Sequence, residues 1–191
     1  MSGAERREQL LDATKTIVDR QGFHAVSIEG VAREAGITRP IVYSHFRDLA
    51  GLLEALIERE GDRALAQLAV FTPAEVGEDD PHGLLLSAMR AYMETAESDP
   101  ITWKLVLMPP EGAPELLQER IRNGRAAIVG QLARAVQPLL TGGSAPPDPE
   151  LTALMLSTLA DEVVRLRLTA PERYSRERLI DQTRWFLERL F

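Results

Sequence analysis

An all-α fold is what this sequence predicts, and three observations predict it. Apolar residues recur at helical spacing along almost the whole chain, and no segment shows the period-two alternation of a strand. Good N-cap residues (Ser27, Thr38, Ser175 and the Asp-Pro pairs at 99–100 and 148–149) stand just ahead of the periodic runs. Hydrophobic residues make up 45% of the 191 positions, ample for a core. The division expected is an N-terminal three-helix domain over residues 1–48 and a C-terminal helical bundle domain over residues 49–191.

The first helix is expected over 5–21, with Leu10, Ala13, Thr14 and Ile17 on one face and Gly22 as its C-cap. Phe23 should pack into the three-helix core. Ser27 caps a second helix carrying Val31, Ala32 and Ala35, and Gly36 stops it by tolerating a left-handed backbone. Thr38 caps the third helix, where Pro40 fits the first turn because its missing N–H costs little there. Val42 and Phe46, four apart, form one apolar stripe. Arg39, Tyr43, Ser44 and His45 take the other face. A short helix pinned by few apolar side chains, with long polar ones left free, is what a helix-turn-helix needs to enter the major groove of DNA.

Helix four is expected over 48–70, with Leu52, Leu53, Leu56, Ile57, Leu65 and Leu68 inward. Residues 72–82 hold two prolines, a glycine and four acids, the composition of an exposed connection. A helix over 83–98 presents Leu85, Met89, Tyr92 and Met93. Asp99-Pro100 opens a short helix with Trp103, Leu105, Val106 and Met108, ended by Pro109 and Pro110. A long helix over 114–140 follows, with Leu117, Ile121, Gly124, Ile128, Leu132, Ala135 and Leu139 on one stripe, then a loop over 142–149. The helix over 149–168 has two apolar stripes, Leu151, Met155, Thr158 and Glu162 on one and Ala153, Leu156, Ala160 and Val164 on the other. A helix with two apolar faces must meet two partners, and Ala160 is expected to let a partner helix approach closely. Leu179, Thr183, Phe186, Leu187 and Leu190 line the last helix, over 175–191.

Composition excludes several function classes. There is no cysteine, so disulfides, zinc–thiolate sites and thiol catalysis are out. No apolar run approaches the ~18–20 residues of a membrane span, and the N-terminus has no apolar signal region, so a cytoplasmic protein is expected. Ser44, His45 and Asp48 are hydrolase residue types, but adjacent helical positions point about 100° apart, so Ser44 and His45 cannot act on each other. His24, His45 and His82 share no metal-ligand spacing. No enzyme activity, metal or cofactor is expected. The net charge of −7 is unusual for a DNA binder, but residues 1–47 carry +1 and the remainder −8.

The stretch from Val26 to Leu53 resembles the DNA-binding segment of the TetR family of bacterial transcriptional regulators. The amphipathic first helix, the S-I-E-G-V-A start of helix two, the A-G-I-T turn, the R-P-I-V-Y-S-H-F recognition helix and Leu52-Leu53 carry the likeness, over roughly the first quarter of the chain. Two positions depart from the family's pattern. Pro40 stands where glycine is frequent. Leu49 stands where a phosphate-binding lysine is frequent, with Arg47 as a substitute two residues earlier.

The resemblance implies a homodimeric regulator, most often a repressor, on palindromic double-stranded operator DNA. Arg39 is a candidate for bidentate pairing with guanine, and Pro40 and Ile41 for thymine methyls. Ser27, Thr38, Tyr43, Ser44, His45 and Arg47 are candidates at the phosphates and flanking bases. The last two helices are expected to pair with their copies in a four-helix bundle. A small apolar or amphipathic effector is expected among Met89, Tyr92, Met93, Trp103, Met108 and Met155, in a pocket of roughly 300–1,000 Å³. Asp161, Glu162 and Arg165 are its candidate polar anchors. An architectural or cell-division DNA-binding protein without an effector is the alternative. A helical ligand-binding protein that has lost DNA binding is a second.

Overall fold

The structure is a computed structural model that describes residues 1–72, 80–110, 112–137 and 148–189. Among these it holds nine α-helices: α1 (Gly3–Gln21), α2 (Ile28–Glu34), α3 (Arg39–His45), α4 (Leu49–Phe71), α5 (Pro81–Ser98), α6 (Pro100–Leu107), α7 (Glu115–Val136), α8 (Pro149–Thr169) and α9 (Arg176–Leu187). A 3-10 turn, Phe23–Ala25, joins α1 to α2, a detail without a distinct pattern in sequence. Most of the expected connection at 72–82, the last turn of the helix expected to 140, residues 142–147 of the loop expected at 142–149, Leu139 and Leu190 lie outside the described residues, while Asp148 caps α8 and Pro149 begins it.

The helices begin where polar side chains can satisfy free backbone N–H groups. Ser2 and Glu5 form a capping box at α1, which starts two residues earlier than the expected start at residue 5. Ser27 accepts from Gly30 N at 3.0 Å, Asp48 from Gly51 N at 2.8 Å, Asp148 from Leu151 N at 3.0 Å and Ser175 from Arg178 N at 3.2 Å. Thr38 differs from expectation. It occupies the N-cap position of α3, but its side chain makes no capping hydrogen bond. Gly36, at φ +67°, turns the chain between α2 and α3.

Two apolar cores share α4. The first gathers Leu10, Val18, Phe23, Val31, Val42 and Phe46 from α1–α3 with Leu52, Leu56 and Ile57 of α4, and also takes Leu105 of α6 and Leu117 of α7. It therefore extends well past residue 48. Leu49 packs against it, half-buried. The second core lies among α5–α9 and the far half of α4, around Met93, Trp103, Val136, Ala153 and Val164. The α8 stripe of Ala153, Leu156 and Val164 is buried there, while Leu151, Leu154 and Met155 stand outside.

Between the cores lies a buried ionic cluster that periodicity did not reveal. Lys15 of α1 reaches Glu60 of α4 at 2.8 Å and Asp99 at 2.9 Å, and donates to Thr102 Oγ1 of α6 at 2.6 Å. Thr102 in turn hydrogen-bonds Glu60. Arg59 closes the outer side, pairing with Glu60 at 2.8 Å and with Glu8 and Asp12 of α1 at 2.9 Å each. Burial pushes the Glu60 carboxyl up. Hydrogen bonds from Lys15 and Thr102 and the charges of Lys15 and Arg59 outweigh it, holding the group below the usual carboxylate range.

Candidate DNA-reading face and interior cavity

Helix α3 is short, and its position depends on two anchors. Val42 is 0% and Phe46 4% exposed, and Arg7 of α1 stacks its guanidinium over the Phe46 ring at 4.5 Å. Gln9 of α1 donates to the Ala35 carbonyl at 3.0 Å and so fixes the turn before α3. The opposite face is open. Thr38, Arg39, Pro40, Ile41, Tyr43, Ser44 and Arg47 are exposed, as is Ser27 at the start of α2. His45 is half-buried, its ring near Gly3 at the start of α1. Ser44 Oγ donates back to the Ile41 carbonyl at 2.7 Å. Arg39 lies 3.8 Å from Glu29 of α2, both well exposed. An exposed pair of that length is worth little and yields easily to a better anion.

The candidate effector residues are not all brought together. Met89, Tyr92 and Trp103 line an interior cavity of about 160 Å³ walled by α4–α9. Met93, 1% exposed, is packed solidly in the second core beside it. Met108 instead lines a separate groove with Val18 and Asp19 of α1. Met155 is 68% exposed, because it shares the outward stripe of α8. The cavity is smaller than the expected range of roughly 300–1,000 Å³, and only three of the six candidate residues line it. Ala160, expected at a partner helix, lines the cavity.

The cavity's polar groups sit on α5, α7 and α8. Tyr92 donates to Asp161 Oδ1 at 3.0 Å, and Arg125 donates to Asp161 Oδ2. Burial pushes Asp161 above the usual carboxylate range, against the opposing charge and hydrogen bond of Arg125 and the hydrogen bond of Tyr92. Burial and the nearby Asp161 charge push the Tyr92 phenol up as well, so it stays protonated. Trp103 Nε1 donates to Gln67 Oε1 at 3.0 Å, while its ring meets Tyr92 edge-on with centroids 4.9 Å apart. Glu162 and Arg165, the other candidate anchors, pair with each other and do not line the cavity. Sequence reading found Asp161 but missed Arg120 and Arg125, which look like solvated charges on α7. Gly124, between them, is the one local signal. A Cβ there would come 3.1 Å from Leu65, so glycine lets α7 lie close on α4.

Comparison with known proteins bears on both sites. Residues 10–56 match the model for "Bacterial regulatory proteins, tetR family". The chain is 39% identical over 127 residues to the HTH-type transcriptional regulator BetI of Yersinia pestis (strain Pestoides F), covering 63% of this chain and 62% of that protein. The chain spans 62–64% of the length of the first curated relatives it matches. A TetR-like transcriptional regulator from Rhodococcus sp. RHA1 superposes with a TM-score of 0.76 at 22% identity, covering 99% of this chain and 97% of that one, a likeness of fold. SmeT in complex with triclosan superposes with a TM-score of 0.69 at 25% identity, over 94% of this chain and 90% of that one.

Proposed function

The chain belongs to the TetR family of bacterial regulatory proteins, and from that membership we propose that it is a dimeric transcriptional repressor, acting in the cytoplasm on a palindromic operator and released by a small amphipathic effector. The observation that carries the DNA-binding part is the division of α3 into two faces. Val42 and Phe46 are buried, and Arg39, Ile41, Tyr43 and Ser44 stand open to solvent. Arg39 then reads a guanine edge, with Ile41 against a thymine methyl. Thr38, whose hydroxyl is not spent on capping, and Tyr43 hold phosphates.

Dimerisation is supported by five large apolar side chains left exposed on α8 and α9: Leu151, Leu154, Met155, Trp185 and Phe186. A bundle of these two helices with their copies buries them and sets two α3 helices about one DNA turn, ~34–36 Å, apart. Effector release is supported by the cavity and by SmeT, a protein of similar fold solved with triclosan. Helix α4 starts after three intervening residues from the end of α3 and ends beside the cavity, where Gly61, Leu65 and Leu68 line it. A ligand changes DNA affinity by preferring one setting of α4 over another; a full 99:1 reversal takes about 5.5 kcal/mol.

The test is titration of the protein onto DNA from upstream of its own gene at several salt concentrations. Saturable, salt-dependent binding that weakens in the Arg39→Ala variant is expected. Binding that the substitution leaves untouched would overturn this docking.

A further inference from the structure

The effector reading above leaves open what the cavity selects, and its polar groups give an answer. Three charged residues line it: Arg120 and Arg125 of α7 and Asp161 of α8. Asp161 is already engaged through both oxygens, by Tyr92 and by Arg125. Arg120 is only partly engaged. Its Nη2 donates to Asp62 Oδ1 at 2.9 Å and lies 3.4 Å from the Glu58 carbonyl, both on α4. Its Nε is buried and has no hydrogen-bond partner among the described residues.

The surroundings explain how Arg120 comes to lie there. A Cβ on Gly61 of α4 would stand in ordinary contact with the Arg120 Nε at 3.6 Å, so the guanidinium lies directly against that helix. Gly124 meets Leu65 one turn further along both helices. Arg120 thus marks the end of the cavity nearest the DNA-binding core. Leu68, Ile128, Leu132, Leu156 and Leu187 make the rest apolar.

We propose that the cavity takes a small amphipathic anion, its acceptor group on Arg120 and its apolar body against these leucines and Ile128. A buried N–H without a partner is costly, and a charged acceptor recovers that cost and adds a charge-assisted bond. An alcohol of the same shape offers a weaker acceptor. A cationic head group meets two arginines and an aspartate already occupied. The volume of about 160 Å³ suits a single aromatic ring or a short alkyl chain. Because Arg120 also grips α4 through Asp62 and the Glu58 carbonyl, the anion binds where α4 leaves the first core.

The experiment is isothermal titration of the full chain with three ligands of one tail: hexanoate, 1-hexanol and hexylammonium. Hexanoate is expected to bind about tenfold more tightly than hexanol, with hexylammonium weakest. Arg120→Gln should weaken hexanoate about tenfold and leave hexanol unchanged. Arg120→Lys, which keeps the charge but has no Nε, should fall between. Hexylammonium binding as tightly as hexanoate overturns the proposal, as does an equal effect of Arg120→Gln on hexanoate and hexanol, or no saturable binding of any of the three. If Arg120→Gln fails to fold, the head-group comparison on the unsubstituted chain decides. Operator titration without ligand is a separate readout, so failure of the anion preference and failure of the repressor reading are told apart.

Discussion

Arg39 and Tyr43 stand on the open face of α3, and the proposed function gives them different roles that single substitutions separate. Arg39→Ala should cost roughly 1–3 kcal/mol on the operator and relax specificity at one base pair. Tyr43→Phe, which removes one phosphate hydrogen bond, should weaken binding to all sequences alike. Anisotropy titrations on the operator and on base-substituted versions check both; sequence-selective loss from Tyr43→Phe would refute its assignment. Leu49 is a finer case. It packs half-buried against the first core at the first turn of α4, where the family often has lysine. Leu49→Lys can keep its methylene stem on that apolar surface and send the ammonium out. It should tighten DNA binding and steepen the salt slope by up to about one unit, while lowering stability by about 1 kcal/mol of lost apolar burial. Unchanged or weaker DNA binding would show that position 49 serves the core alone.

At the scale of elements, the cluster of Lys15, Glu60, Asp99 and Thr102 binds α1, α4 and the start of α6 into one unit. Glu60 is 2% exposed, and its charge is balanced by Lys15 and Arg59. Lys15→Met leaves Arg59 in place but removes the cation that Glu60 shares with Asp99, and should cost about 1.5–3 kcal/mol, the worth of lost hydrogen bonds to charged groups. The cluster also sets a pH dependence. Burial raises Glu60 and Asp99, but hydrogen bonds from Lys15 and Thr102 and neighbouring positive charges win, so both have folded values below the ordinary ones. Their contribution is full above the unfolded value of ~4 and is lost as pH falls through the lowered folded values. Urea unfolding should show stability nearly level above about pH 5 and falling below about pH 4. Glu60→Gln should flatten that fall, and an unchanged acid limb would assign it to other carboxylates. Helix α6 adds a geometric link: Thr102 enters this cluster while the next residue, Trp103, lines the cavity.

For the whole molecule, the outward stripe of α8 and the exposed aromatics of α9 predict assembly. Met155→Arg changes a side chain that is 68% exposed, so the fold should survive while the dimer dissociates. Sedimentation at micromolar concentration should show monomers, and operator affinity should collapse because one subunit reaches only one half-site. A dimer unaffected by Met155→Arg and by Leu151→Glu would move the interface elsewhere. Ala160→Arg has a different outcome. It forces a charge into the cavity wall and should unfold the chain or abolish ligand binding before it affects assembly.

The sequence by itself determined the helices, most of their polar starts and the two-faced character of α3, because each of these is a local property. Val42 and Phe46 lie four apart, which turns Tyr43 and Ser44 between them outward and leaves His45 half-buried. It also determined that α8 has two apolar faces. Tertiary structure alone decided which face of α8 meets which neighbour, sending Ala160 to the cavity and Met155 to the surface, since that depends on how α7 and α8 cross. It decided that Glu60 is buried, because its neutralising lysine comes from another helix. It decided that Arg120 and Arg125 face a cavity, because Gly124 lets α7 lie close on α4 at Leu65, and closeness between helices is not written in the period of either.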